Sequence, residues 1–458
     1  MTELDNIILD LCKREEEAGC YDYEIAGIKV YNLVRFDVRN FYLQAKGYNF
    51  IEKYKGADYI EIVRTIIKST FQLSKIWFGK RKFETLFYPF LRLDHVEGYY
   101  LDKFTDPLID LCQIDNYIIF ERGRRCIHPR PRLHQPNVVY SNFIDVTSAI
   151  VAKFYLGRFT KKYEKGLKCL FQSVDIALQG IKYDHSYITK QMLYYICFIK
   201  IYDRLLKRME IKKIMAPSRA NISALTYAAK KNHITVSEFQ HGITYGETAV
   251  YSGFRDTDFT PDRFLAFGDS QPRNVYGIDE SRIYNIGWAF QDYIDKVQMG
   301  TMVDEKDVLV ISGPCLTEKI LSATFRLAKE CPDVHFVVRP HPAEVVTDEH
   351  RKNVEEYSNV EFQDPKINVA VAMRPYQNII GENSTVLYEA LTYGKKVARF
   401  CFDGFAPRYL TPEDEECFWK VNDMSSFKAF IEGKPEDKKS MKIYSKFDKE
   451  LFMKIYNS

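Results

Sequence analysis

The sequence predicts an α/β protein built from two Rossmann-like domains, and three observations predict it. The chain has 458 residues, too many for one ordinary domain and enough for two or three. Short apolar runs of strand type alternate with helix-like segments, which is the pattern of βαβ units in a parallel sheet. The alternation occurs twice, on either side of a polar stretch at about 291–306, QDYIDKVQMGTMVDEK, which reads as an interdomain linker.

Residues 1–82 read as a mostly helical N-terminal extension. Within it, IEIVRTIIKSTFQLSKIWFGKRKF mixes Phe71, Trp77 and Phe78 with Lys68, Lys75, Lys80, Arg81 and Lys82. Two readings are open: aromatics and cations lying on an anionic membrane surface, or a helix packed on its own domain with solvated lysines. A Rossmann-like domain is expected over 83–295. ETLFYPF is a buried-strand run, followed by the polar loop LRLDHVEGYYLDKFTDP, a helix-like run and the strand YIIFERG. The text near 145–210 is helical; then IKKIMAP reads as a strand, ANISALTYAAKKN as a helix, and ITVSEFQHG as a strand ending in a polar loop. FLAFG and RIYNIGWAF read as two more short strands.

The second alternation is expected over 306–435. DVLVISGP is a strand, EKILSATFRLAKEC a helix, and VHFVVRPHP a strand with its loop; NVEFQ and NIIGENS are strand ends. TVLYEALTYG is a helix stopped at Gly394, and KKVARFCF is another strand. The remaining 436–458 ends in a predicted helix, KIYSKFDKELFMKIYNS, a candidate for packing back on the N-terminal domain.

Composition narrows the function classes. The chain is 46% hydrophobic and 28% charged, so it can bury real cores. A net charge of +3 argues against a nucleic-acid binder driven by global charge. Ten cysteines at irregular spacing, with no C-x-x-C pair or Cys/His cluster, predict no metal site and fit a reducing cytosol. The first residues, MTELDNIILDLCKREEE, are acidic where a signal peptide is basic, and no apolar run reaches the ~18 residues of a membrane span. The expected location is cytoplasmic, with peripheral contact to the inner face of the plasma membrane left open. The 15% of aromatic residues fits large cores or sugar-stacking surfaces.

In open α/β sheets ligands bind beyond the carboxyl ends of the strands, so polar residues there are the candidates. In VVRPHPAE a buried strand runs into Arg339, Pro340, His341 and Pro342; the prolines stiffen the loop, and Arg339 and His341 can donate to phosphate oxygens, with Glu344 following. In NIIGENSTVLYEALTYGKK, a strand ends at Gly381, and Glu382, Asn383, Ser384 and Thr385 open a helix whose amides can hold an anion or whose Ser and Asn simply cap it. Glu389, further along, can accept from a ribose diol or sit in a salt bridge. In EFQHGITYGET, Gln240, His241 and Gly242 close a strand, and His241 reads as a phosphate or sugar contact, or as a structural histidine. Ser312 and Gly313, with Thr317, form the loop after the second domain's first strand.

The trio of Gln-His-Gly, Arg-Pro-His-Pro and Ser-Thr before a helix with Glu-Ala-Leu resembles bacterial surface-polysaccharide glycosyltransferases of the GT-B fold. Similar families are the capsule-type Kdo transferases, the polysialyltransferases and the CDP-glycerol glycerophosphotransferases. The resemblance covers about residues 210–400 and, loosely, 83–125. It implies two Rossmann-like domains facing a cleft and a nucleotide-sugar donor held mainly by the second. It further implies that His341 with Pro342 and Ser384 with Thr385 contact the donor phosphate, that Glu389 faces the ribose, and that no cofactor or metal is needed. The pair often reads Ser-Ser in such families; here it is Asn383-Ser384-Thr385, which leaves open which hydroxyl acts.

An inverting transfer needs a base for the acceptor hydroxyl. Asp94 leads the candidates, followed by Glu97 and Asp106 from the same loop, with Glu121 after the next strand; His241 joins the catalytic set. Asp106 also reads as a helix-start residue before Pro107. The basic stretch ERGRRCIHPRPR, with Arg122, Arg124, Arg125, Arg130 and Arg132, can meet an acidic acceptor or an anionic membrane, or be a solvated loop. The expected function is transfer of a sugar from a CMP-Kdo-like or UDP-hexose donor, galactofuranose included, to a surface polysaccharide or lipopolysaccharide glycan such as capsule or O-antigen. The alternatives are an epimerase of the UDP-N-acetylglucosamine 2-epimerase kind and a non-catalytic glycan-binding scaffold.

Overall fold

The computed structural model describes every residue except 1–2, 49–58, 124–125, 245, 269–272, 297–303, 314–316, 342–343, 365–366, 403, 408, 410–411 and 442. The described residues form two compact units. Unit 1 runs to Leu93 and continues through Tyr100–Ala266 and on to Asn285; unit 2 comprises Asp94–Tyr99, Phe267 and Gly268, and Ile286–Ser458. The division after Asn285 lies before the polar stretch at 291–306, part of which is the helix Ala289–Ile294.

Unit 1 holds a seven-stranded sheet: β1 (Thr85–Phe87), β2 (Tyr117–Glu121), β3 (Val138–Tyr140), β4 (Lys213–Pro217), β5 (Thr235–Phe239), β6 (Arg263–Ala266) and β7 (Ile283–Asn285). Its order is β7-β6-β5-β4-β1-β2-β3, with parallel pairings. The chain starts in the middle, steps outward through β2 and β3, then returns to the other side of β1. That reversal is the switch point of a doubly wound sheet. β1 and β2 are buried at every residue, as expected of strands covered on both faces.

Unit 2 repeats the plan with six strands: β8 (Val308–Ile311), β9 (Phe336–Arg339), β10 (Val360–Phe362), β11 (Asn378–Gly381), β12 (Lys396–Phe400) and β13 (Trp419–Val421), in the order β10-β9-β8-β11-β12-β13. All pairs are parallel, and Ile311 lies in register with Arg339 on one side and Gly381 on the other. The last residues of three neighbouring strands therefore stand side by side. A Cβ on Gly381 would lie 2.8 Å from the Ile311 carbonyl oxygen, so only glycine lets β11 sit this close to β8. The core gathers Val308, Val310, Val338, Ile380, Ala398 and Phe400 under Leu321, Phe427 and Phe430. The two parallel sheets give the α/β, doubly Rossmann-like class that the alternating pattern predicts.

The N-terminal helices α1 (Glu3–Glu17), α2 (Tyr31–Ala45) and α3 (Tyr59–Phe78) belong to unit 1 and share its core with β1, β2, β4 and β5. They are props rather than an appendage. Arg39, fully buried, pairs with Glu15 at 2.6 Å and donates to the carbonyls of Ala249 and Ser252. Arg35 donates to the carbonyls of Val250 and Phe254, and Asp5 accepts from the Glu247 amide. Together they hold the loop that follows β5. The C-terminal segment packs within unit 2, where Trp288 N donates to Ser445 O and Asp448 N to Ile286 O. The final helix, Lys449–Asn457, is capped by Asp448. No helix among the described residues is long and apolar enough to cross a membrane.

Candidate functional site

The switch point of unit 2 lies beyond the ends of β8 and β11, and the loops there carry most of the predicted donor residues. After β8, Ser312 is buried, and its hydroxyl donates to Glu344 Oε2 at 2.8 Å. The same carboxylate oxygen accepts the His341 backbone amide at 3.0 Å, and the Glu344 amide returns to the His341 carbonyl. Glu344 thus closes the loop after β9 and ties it to the loop after β8. His341 is half-buried; Pro342 lies outside the described residues.

On the other side of the switch point, α13 (Thr385–Thr392) follows β11. Ser384 is its N-cap and accepts from the Val386 amide at 3.3 Å, while Thr385 is the first helical residue and is exposed. The hydroxyl of Ser384 therefore serves the helix and retains its own proton to donate, whereas Thr385 is not needed for the cap. Asn383 donates to Ala406 O, and Glu382 Oε1 accepts the Ala406 amide and pairs with Lys319 at 3.3 Å. Glu389 is half-buried one turn into α13, and burial together with the Glu389 charge raises the Tyr393 phenol above its ordinary value. Gly394, at φ 69°, ends this segment.

Beneath the Glu382–Ser384 loop lies Arg399, in β12, which is 1% exposed. It donates to Glu382 O at 2.6 Å and faces the rings of Tyr388, Tyr409 and Phe418; its Nε and Nη2 find no partner among the described residues. The caged guanidinium, Lys319 and the amides opening the helix bring positive charge to this corner, and Glu382 sets one carboxylate against Lys319. Arg339 has a different task. It is buried, and donates to Gln363 Oε1 and Ile367 O, both at 2.7 Å, pinning the next loop. Burial lowers its pKa, and the charges of Asp364 and Asp94 oppose that.

The base candidates separate cleanly. Asp94 falls in unit 2, half-buried, accepts from Asn368 Nδ2 at 2.7 Å and lies within electrostatic reach of Arg339. Glu97 is a turn residue: it is exposed, at φ 48°, between the short strands Asp94–Val96 and Tyr99–Leu101, and among the described residues no hydrogen bond or ion pair orients its carboxylate. Asp106 and Glu121 are structural. Both are buried against Arg132, which pairs with Asp106 at 2.6 Å and Glu121 at 2.5 Å. Burial pushes Glu121 up, but hydrogen bonding from His128 and the Arg132 charge outweigh it, and its pKa is lowered. A carboxylate so held neither takes a proton readily nor reaches an acceptor. The same geometry corrects the basic stretch. Arg132 is internal and Arg122 pairs with Asp145 at 3.3 Å, while Arg130 is exposed and Arg124 and Arg125 lie outside the described residues.

In unit 1, Gln240 is buried, with its amide on Leu265 O and its side chain on Gly242 O at 3.1 Å, shaping the loop that presents His241. The His241 ring is tilted against Phe90 at 5.6 Å, and its Nδ1 meets Tyr251 Oη at 3.4 Å. Tyr251 also hydrogen-bonds Glu238, itself buried with Arg219. Burial and the Lys103 charge push the His241 pKa down to about 4, so the imidazole is neutral near pH 7.

Sequence reasoning passed over Glu344's bridging, Lys319, Asn368, Tyr251 and Arg399. For Arg399 a signal existed: an arginine inside the otherwise apolar strand KKVARFCF. Among the described residues no His, Cys, Asp and Glu side chains gather as a metal site requires.

No family model and no curated protein matches the sequence. Among solved structures, the chain is similar to the UDP complex of MnaA from S. aureus, at 13% identity, covering 82% of this chain and 97% of that one, with a TM-score of 0.45. It is similar to the UDP-GlcNAc 2-epimerase from Neisseria meningitidis bound to UDP-GlcNAc, at 14% identity, 82% and 99% coverage and a TM-score of 0.47. It is also similar to Acinetobacter baumannii MurG, at 11% identity, 82% and 90% coverage and a TM-score of 0.37. Likeness at this level assigns no activity to the present chain.

Proposed function

We propose that the chain is a glycosyltransferase that takes its sugar from a nucleotide-sugar donor, with the donor phosphate at the switch point of unit 2. One observation carries this reading: the Ser312 loop, the His341 loop and the capped start of α13 leave the same sheet edge side by side, above the buried Arg399. In the proposed step the acceptor hydroxyl oxygen attacks the anomeric carbon, whose bond to the phosphate oxygen breaks. The proton passes to Asp94, oriented by Asn368, and the departing phosphate is met by α13 amides, Ser384 and His341. Glu389 accepts from the ribose. No step is assigned to a cofactor or a metal. CMP-linked acidic sugars and UDP-linked hexoses, galactofuranose included, are the proposed donors, and a surface polysaccharide or lipopolysaccharide glycan the acceptor.

A thermal-shift screen against CMP, UDP, GDP and CDP tests the donor site, because a ligand that binds only the folded state raises the melting temperature. One nucleotide should stabilise the protein, and His341→Ala should remove the shift. A full shift in that variant refutes the placement. The epimerase alternative fits the same two units, and incubation with UDP-GlcNAc without any acceptor separates them. Appearance of the C2 epimer there would replace the transferase reading.

A further inference from the structure

Helix α3 exposes more large apolar side chains than a helix that only packs on its own domain needs. Its inward face is mixed: Thr65 and Ser69 are buried beside Leu73, and Ile76 packs against the core. The reason is the sheet edge. β3 is the last strand, and Gln72 donates to Val138 O at 2.9 Å and accepts from Tyr140 N at 3.0 Å, while Ser69 donates to Tyr140 O and accepts from Phe143 N. These side chains occupy the hydrogen-bonding positions a further strand would take, which protects the edge.

The outward face has no such reason for its composition. Ile60, Val63, Ile67, Phe71 and Phe78 recur at helical spacing on the side opposite Ser69; Ile67 is 65% exposed, Phe71 59% and Phe78 81%, against 0% for Ser69. Cations accompany the stripe. Arg64 and Lys75 are exposed on α3, with Lys80, Arg81 and Lys82 just beyond it. Lys75 lies over the Phe71 ring at 4.4 Å. At the same end a groove of about 540 Å³ is lined by Trp77, Lys82, Arg204, Lys207 and Arg208. Helix α5 (Asn142–Lys162), which packs against α3, exposes Phe154 and Ile150 together with Lys153 and Arg158.

We propose that the outer face of α3 is an interfacial membrane anchor that docks on an anionic lipid bilayer. Apolar side chains enter the acyl boundary while the flanking lysines and arginines meet the headgroups. The excess of cations along the stripe selects a negatively charged surface over a second copy of the same face, which would bring like charges together. The anchor is independent of the transferase reading, since it uses none of the residues assigned to donor or acceptor.

The test is co-sedimentation of the full-length chain with vesicles of phosphatidylcholine alone and of phosphatidylcholine with phosphatidylglycerol, beside the triple variant Ile67→Ser, Phe71→Ser, Phe78→Ser. These positions are exposed, so the variant should keep the wild-type circular dichroism and melting temperature. Wild type should pellet with the anionic vesicles and not with the neutral ones, with release at high salt. The triple variant should lose roughly tenfold or more of that partitioning. A second pair, Lys75→Glu with Arg81→Glu, should lose it as well with the apolar stripe intact. Equal pelleting of wild type and triple variant overturns the proposal. So does a wild-type dimer that the triple variant converts to monomer in the absence of vesicle binding, because the face would then belong to self-association.

Discussion

Replacing Arg132 by methionine should destabilise unit 1 far more than a surface arginine substitution would. Arg132 holds Asp106 through Nη1 at 2.6 Å and Glu121 through Nε at 2.5 Å, and donates to the carbonyls of Tyr100 and Leu133 at 3.2 and 3.0 Å. Methionine fills most of the volume but leaves two buried carboxylates without their cation, beside a third at Asp102. Removing one partner of a buried ion pair costs about 3–5 kcal/mol, because the remaining charge keeps its desolvation cost and loses its compensation. With a urea dependence of about 3 kcal/mol per molar, the midpoint of unit 1 should fall by about 1–1.7 M. Trp77 is in unit 1, while Trp288 and Trp419 are in unit 2, so a Trp288→Phe, Trp419→Phe background makes urea-induced fluorescence report unit 1. The exposed Arg130→Met is the control. A midpoint within about 0.2 M of the control would mean that Asp106 and Glu121 are not held as described, and would reopen both as bases.

Burial and then the neighbouring Asp106 charge raise Asp102 to about 7. Its folded pKa lies above its unfolded value, so its contribution is fully present below about pH 4 and is lost as pH rises towards 7. Stability of unit 1 should therefore decline across pH 4–7 by up to about 1.4 kcal/mol per unit from this group, and Asp102→Asn should flatten that slope in urea melts; an unchanged slope contradicts it. The His241 ring should titrate near 4 by NMR, and Lys103→Met should move it upward; a ring titrating at about 6.5, the ordinary value for a solvated imidazole, would contradict its burial beside Phe90 and Tyr251. Gly381→Ala, whose Cβ meets the Ile311 carbonyl at 2.8 Å, should cost about 1–3 kcal/mol and lower the melting temperature of unit 2, whereas no change would show that β8 and β11 lie further apart.

The alternation of strands and helices was legible because parallel strands covered on both faces must be short apolar runs, and VLVI and FVVR are buried throughout. Strand-end position places His341, Ser312 and Ser384 at the carboxyl edge of unit 2's sheet, because a residue just past a buried strand has to emerge there. Position could not separate Asp94 from Asp106 and Glu121. What divides them is Arg132, which lies 26 residues from Asp106 and 11 from Glu121, and nothing local marks that pairing. The orientation of α3 was hidden for a similar reason. Its stripe is readable from spacing, but which side faces inward depends on β3 being the sheet's edge, and strand order is not written in any one segment.

The donor phosphate is proposed to bind where the loops after β8, β9 and β11 leave unit 2. Hydrogen exchange followed by mass spectrometry, with and without the nucleotide that wins the thermal screen, tests that proposal directly. Slowed exchange should fall on peptides containing Ser312–Gly313, His341–Glu344 and Glu382–Glu389. Protection elsewhere, with those three peptides unchanged, would contradict it.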